Sequence, residues 1–296
     1  MKIIRYIWIT VTLGILMFAL AGCGGDSSSS DKKLLKKMIK KQNANGAFMP
    51  EDIEDEAYVW NEEGRLIQIN CSNKYLKGNI SFGGFTALQS VNCSNNSIEQ
   101  LSFDGCDGLE YLDCGVNEIQ ELNIDKCDQL KELRCRNNSM EKLQLSGCSS
   151  LEYVECSDSP IQSISLDGCT ALKKLFCGNC SLSELDTASI PNLERINCYA
   201  NRISYLDFSG MEHLTYVQCN NNGMYELKIT NCPELEHLEA INNSFDELDI
   251  SDCYQLIENY DMYGNNGSDR REFLYDSDED GTDEVLWCDD GVYIYY

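Results

Sequence analysis

The sequence predicts a solenoid, in which the chain winds through about nine similar turns and each turn adds one strand to a parallel β-sheet. Three observations carry this. A 21-residue unit fills residues 66–255, starting at Leu66, Leu88, Leu109, Leu130, Leu151, Leu172, Leu193, Leu214 and Leu235, with one extra residue in the first unit. The fourth position is apolar in all nine units, from Ile69 to Leu238, and so is the eleventh, from Leu76 to Phe245. A cysteine recurs at the sixth position and again at the nineteenth, in a chain with 17 of them.

The chain of 296 residues opens with an apolar run, positive at Lys2 and Arg5, that ends in "LAGC". That ending resembles a bacterial lipobox, which implies a signal peptide over residues 1–22, cleavage before Cys23 and lipid attachment to Cys23. A plain transmembrane anchor is the competing reading, because the run is nearly long enough to span. Ala21, Gly22 and the following "GGDSSSS" favour the lipoprotein, held at the extracytoplasmic face of a cell membrane, with residues 23–30 as a flexible tether.

Residues 31–65 are expected to cap the first turn, since a repeat stack exposes an apolar end on each side. "DKKLLKKMIKK" reads as a basic amphipathic helix, and "VWNEEGRLIQI" as a strand, a turn and the first repeat strand. The stretch between resembles the EF-hand-like cap of some bacterial repeat proteins, with Asn43, Asn45, Gly46 and Asp52 near loop positions three, five, six and twelve. Lys41 stands where the first Asp would be and Asp52 replaces the bidentate Glu, so the segment is expected to cap rather than to bind calcium.

Within each unit, the apolar–x–Cys alternation at positions four to six has the period of a strand, so both side chains enter one face. Strands stacked ~4.8 Å apart turn each apolar position into a column. Asn at position nine (Asn96, Asn117, Asn138, Asn201, Asn222, Asn243) follows the strand, where its amide can hold the turning backbone. The ~10 residues left per unit are too few for an α-helix with two turns. Short 3-10 turns or extended pieces are therefore expected there, around the second L-x-L.

The consensus L-x-x-L-x-C-x-x-N-x-I-x-x-L resembles the leucine-rich repeat. With 21 residues and Cys in place of a strand Leu, it is similar to the cysteine-ladder (internalin J-like) internalins. The resemblance implies an α/β horseshoe, mostly β, whose concave parallel sheet binds other macromolecules. It names no ligand, because consensus residues are core residues.

Where the cysteine columns are interrupted, Ala240, Ile190 and Met211 take over, so the thiols behave as small core hydrophobes. Parallel Cβ vectors ~4.8 Å apart suit neither a disulfide, which wants converging Cβ atoms near ~3.8 Å, nor zinc, whose ligands converge on a point. "CGNC" at Cys177–Cys180 is the exception, open to a local disulfide or a redox pair, and Cys288 has no evident partner.

Residues 256–296 leave the repeat, and "REFLYDSDEDGTDEVLWCDDGVYIYY" suggests a β cap built as a hairpin or three-stranded meander. Inside it, Asp276, Asp278, Asp280 and Glu284 follow D-x-D-x-D-G-x-x-E, a carboxylate spacing that can hold calcium; Trp287 at the twelfth position breaks the full EF-hand pattern, and an acidic solvated turn is the competing reading.

Positions three, five, seven and eight are expected to point out from the sheet. There the middle repeats gather Arg134, Arg136, Lys174 and Arg195 with Tyr111, Tyr153, Phe176, Tyr199 and Tyr216. Tyr and Arg offer large contact area with polar tips, the composition of binding hot spots. The competing reading is cross-strand neutralisation by Glu132 and Glu155. The net charge of −26 excludes a nucleic-acid partner, which needs a basic footprint. With two histidines and no G-x-S-x-G, H-E-x-x-H or P-loop, an envelope hydrolase has little support. The sequence thus points to a non-enzymatic, membrane-anchored binding module for a protein or glycan, with a ligandless structural lipoprotein as the alternative.

Overall fold

The computed structural model describes residues 27–124, 127–257, 286–287 and 292–295. One 11-stranded sheet runs through it. Tyr58–Trp60 pairs antiparallel with Leu66–Asn70, the strand of the first repeat. Eight three-residue strands, from Ser90–Asn92 to His237–Glu239, then add in parallel, one per repeat. Between the repeat strands the register never slips, so position three lies over three and five over five, as in Tyr153↔Lys174, Val154↔Leu175 and Glu155↔Phe176. A slip of one residue would turn every core side chain outward, which is why the apolar fourth and sixth positions fix it. All nine fourth-position side chains and the sixth-position cysteines are fully buried.

The opposite side of each turn is extended, one of the two expectations above; no 3-10 helix occurs among the described residues. Short parallel strands stack there, such as Lys77–Ser81 on Ser97–Ser102, Lys142–Gln144 on Ser163–Ser165, and Tyr205–Asp207 on Glu226–Lys228. The repeat starting at Leu172 lacks this strand. Its sixteenth position is Thr187, where other repeats carry Phe103, Ile124, Leu145, Leu166, Phe208, Ile229 or Ile250, and the buried hydroxyl donates to the Asp207 carbonyl.

Three devices recur in closing the turns. The eighth residue is left-handed in all nine repeats, with φ between 51° and 58°; Asn dominates, but Val116 and Ala200 take the conformation too. The position-nine Asn forms an internal ladder: Asn117 Nδ2 donates to the carbonyls of Cys93 and Cys114 (3.1 and 3.0 Å), while its Oδ1 accepts from Ile98 N (3.0 Å). The nineteenth-position thiols reach the preceding turn, as in Cys169 Sγ to Leu145 O (3.1 Å) and Cys232 Sγ to Phe208 O (3.1 Å). These thiols are thus weak donors as well as hydrophobic filler.

The fifteen described cysteines are free. Burial pushes the Cys71 and Cys198 thiols up to about 12, so they stay protonated and unreactive at neutral pH. Cys180, in the Asn slot, is unpaired as well. Its thiol points to the Cys156 carbonyl (3.5 Å), the group that an Asn in that slot would bond, and Ile161 N, left without the Asn acceptor, bonds Ser159 O (2.8 Å). The "CGNC" spacing is therefore a variant rung of the Asn ladder.

The N-terminal helix, α1 (Ser27–Ala44), begins inside the stretch expected as a tether. Leu35 and Ile39 dock on the first repeat, and buried Asp31 accepts from Arg65 Nε (2.9 Å) and Leu66 N (3.0 Å), tying the helix to the sheet. Asn43 clamps the Met49 backbone through both ends of its amide (2.9 Å each), so the EF-hand-like stretch is held by its own side chain. At the other end, Leu286–Trp287 pairs parallel with His237–Glu239, and Tyr293–Tyr295 parallel with Glu247–Asp249. Both strands extend their sheets in parallel, where a hairpin or meander would pair antiparallel. Residues 1–22 with Cys23, and Asp276, Asp278, Asp280 and Glu284, lie outside the described residues.

Candidate binding face

Positions three, five and seven of successive repeats form one outer face of the main sheet, and every predicted face residue lies on it. The structure sorts them into groups with different partners. At the first two repeats the face is occupied locally: Asn70 Oδ1 accepts from Ser72 N and Oγ, and Asn92 repeats the arrangement with Ser94.

In the fourth and fifth repeats, Arg134 lies between two carboxylates, 2.6 Å from Glu132 and 3.4 Å from Glu155, with its guanidinium 4.6 Å from the Tyr153 ring centre. Arg136 meets the other Glu155 oxygen at 3.5 Å. The neutralising carboxylates weighed above are therefore in place, and these two arginines are committed to the sheet. Tyr111 is half-buried one strand away, directly beside Glu132.

The sixth and seventh repeats differ. Lys174 and Arg195 sit directly opposite one another on adjacent strands. Neither has an ion-pair partner among the described residues. Like charges facing each other across a sheet are destabilising. Aromatic rings frame them: Tyr153 packs against Phe176 (5.5 Å between centres), and Arg195 lies 4.9 Å over Tyr216, which stacks on His237 at 4.6 Å. Gly178 explains the position of Tyr199, because a Cβ there would collide with that ring. The glycine of "CGNC" lets the Tyr199 ring lie on the backbone of the repeat before it.

The eighth and ninth repeats close this region with Glu239, which sequence reasoning had not singled out. Burial pushes its carboxyl up, but donors at His237 (2.9 Å), Tyr216 (2.9 Å), Gln218 (2.7 Å) and Asn220 (2.9 Å) outweigh that and hold it at about 2. An isolated Glu on a repeat strand carries no signal of this; the signal would have been the donors at positions three, five and seven around it. Along the rim at position two, Lys131 pairs with Glu110 (2.8 Å) and Lys173 with Glu152 (3.1 Å). Among the described residues no cluster of three His, Cys, Asp or Glu is arranged to hold a metal.

No protein-family model and no curated protein matches the chain. Solved structures do. The functional domain of InlJ from Listeria monocytogenes, which includes a cysteine ladder, is 28% identical with a TM-score of 0.60, over 63% of this chain and 42% of that one. A leucine-rich repeat protein of Leptospira interrogans matches at 18% identity and TM-score 0.54, over 60% and 49% of the two chains. The LRIM1/APL1C complex matches at 17% and 0.53, over 63% and 36%. The match spans less than half the length of each of these structures. The chain therefore has the leucine-rich repeat fold, with a cysteine ladder like that of InlJ.

Proposed function

We propose that the chain is a non-enzymatic binding module, held at the extracytoplasmic face of a membrane through its N-terminus, that grips a protein partner on the outer face of its main sheet. The contact centres on Lys174 and Arg195, with a carboxylate of the partner set between them and Phe176, Tyr199 and Tyr216 packed around it. One observation carries this: two cations face each other without a carboxylate, on a sheet that neutralises its other central cations. Folding gains nothing from setting these two charges side by side, whereas an incoming carboxylate would relieve them. The similarity to the functional domain of InlJ supports the reading.

The test probes an array of purified extracellular proteins with the chain and with two variants, Phe176→Ala/Tyr199→Ala and Lys174→Glu/Arg195→Glu. The proposal expects a partner whose affinity falls about 100-fold in either variant, the scale of one or two hot-spot side chains. A partner bound equally by all three proteins would move recognition off this face and overturn the proposal.

A further inference from the structure

The basic residues are not spread evenly. Six lysines, Lys32, Lys33, Lys36, Lys37, Lys40 and Lys41, fall within ten residues of α1, in a chain whose net charge is −26. The helix buries Asp31, Leu35, Ile39 and Gln42 against the solenoid. Lys33, Lys36, Lys37, Lys40 and Lys41 are exposed, and among the described residues none is in an ion pair; only Lys32 is engaged, 3.7 Å from Glu54 and over the Trp60 ring. Beyond the helix end, Phe48 and Tyr75 pack edge-to-face at 5.5 Å while remaining 68% and 65% exposed. Tyr75 does so with φ at 57°, a conformation unfavourable for a bulky residue, so its exposure is not a by-product of relaxed backbone.

Chain length fixes where this helix must be. It starts at Ser27, four residues after Cys23. Four residues reach at most about 14 Å, and an 18-residue helix is about 27 Å long. An anchor at or before Cys23, acyl chain or spanning segment alike, therefore keeps the start of α1 at the headgroups. The acidic body is repelled from an anionic leaflet, whereas the lysine side of α1 is attracted to it.

We infer that the N-terminal cap is a membrane-contact surface: the exposed lysines of α1 engage anionic headgroups, and Phe48 with Tyr75 enters the interfacial layer. The contact makes the cap a standoff that directs the acidic repeats away from the bilayer. The orientation rests on the anchoring in the proposed function; the lipid affinity of the cap does not.

The experiment uses the mature chain, residues 23–296, with Cys23→Ser so that no acyl group contributes. Flotation is measured with phosphatidylglycerol/phosphatidylcholine vesicles and with phosphatidylcholine alone. The inference expects binding to the anionic vesicles, loss in high salt, and a fall of about tenfold or more for Lys33→Glu/Lys37→Glu/Lys40→Glu with unchanged circular dichroism. Phe48→Ala/Tyr75→Ala should weaken the binding that persists at intermediate salt. No preference for anionic vesicles, or indifference to the lysine reversal, overturns it. So does equal capture by soluble heparin together with indifference to loss of the aromatic pair, which would mark a general polyanion site. Acylation of wild-type Cys23, read by mass spectrometry, tests the anchor separately, so either idea can fail alone.

Discussion

Two cationic groups lie on one face of the sheet, two repeats apart, and the fold treats them in opposite ways. Arg134 and Arg136 are held by Glu132 and Glu155, at 2.6 to 3.5 Å. Lys174 and Arg195 face each other with no carboxylate among the described residues. Both groups stand on the same repeated strand in unbroken register, Arg134 and Arg136 at positions five and seven and Lys174 and Arg195 at position three; the carboxylates at neighbouring third and fifth positions separate them. On a repeat scaffold the core is a constant, and a departure from neutralised charge marks where the sequence serves something other than folding.

The largest expected effect lies on the satisfied side of this contrast. The carboxyl of Glu239 is held at about 2, below its ordinary 4.5, so its contribution is complete above pH ~4.5 and is lost as pH falls towards 2. Glu239→Gln should cost about 2 kcal/mol at pH 7 by stranding donors built for a carboxylate, and should flatten the acid limb of a stability–pH profile measured by urea denaturation. An unchanged limb would mean that the donors do not act on this group.

Gly178→Ala tests the aromatic frame of the unsatisfied pair. The new methyl must push the Tyr199 ring off the sheet, at about 1 kcal/mol in denaturant midpoint, and partner binding should fall with it. Retained binding would remove Tyr199 from the site. Smaller still, Lys174→Ala should raise stability by a few tenths of a kcal/mol, because it removes a cross-strand repulsion. The same truncation at Arg134 should lower stability, and calorimetry distinguishes the two signs.

Much of this was legible in the sequence, for identifiable reasons. The strands and the cysteine columns followed from a period of 21 and a rule of apolar exchange, both set by core packing. The extended outer segments were left open because short apolar pieces do not distinguish a 3-10 turn from a strand; pairing with the next turn decides it. The continuation by Leu286–Trp287 was missed although Leu286-x-Cys288 repeats the strand signature, because 28 residues separate it from Ile257 and interrupt the period. The face residues were found, but not their sorting. Which arginine meets which glutamate depends on side-chain reach across strands, and the sequence lists Arg134 and Arg195 with equal weight.

The most direct test of this account makes one substitution at two places. Arg134→Glu and Arg195→Glu are compared by thermal unfolding. Arg134→Glu leaves three carboxylates together and should lower Tm by about 3–6 °C, whereas Arg195→Glu gives Lys174 a partner and should raise it by about 1–2 °C. If both variants fall equally, or neither moves, the two cationic groups are equivalent and the distinction drawn between them is wrong.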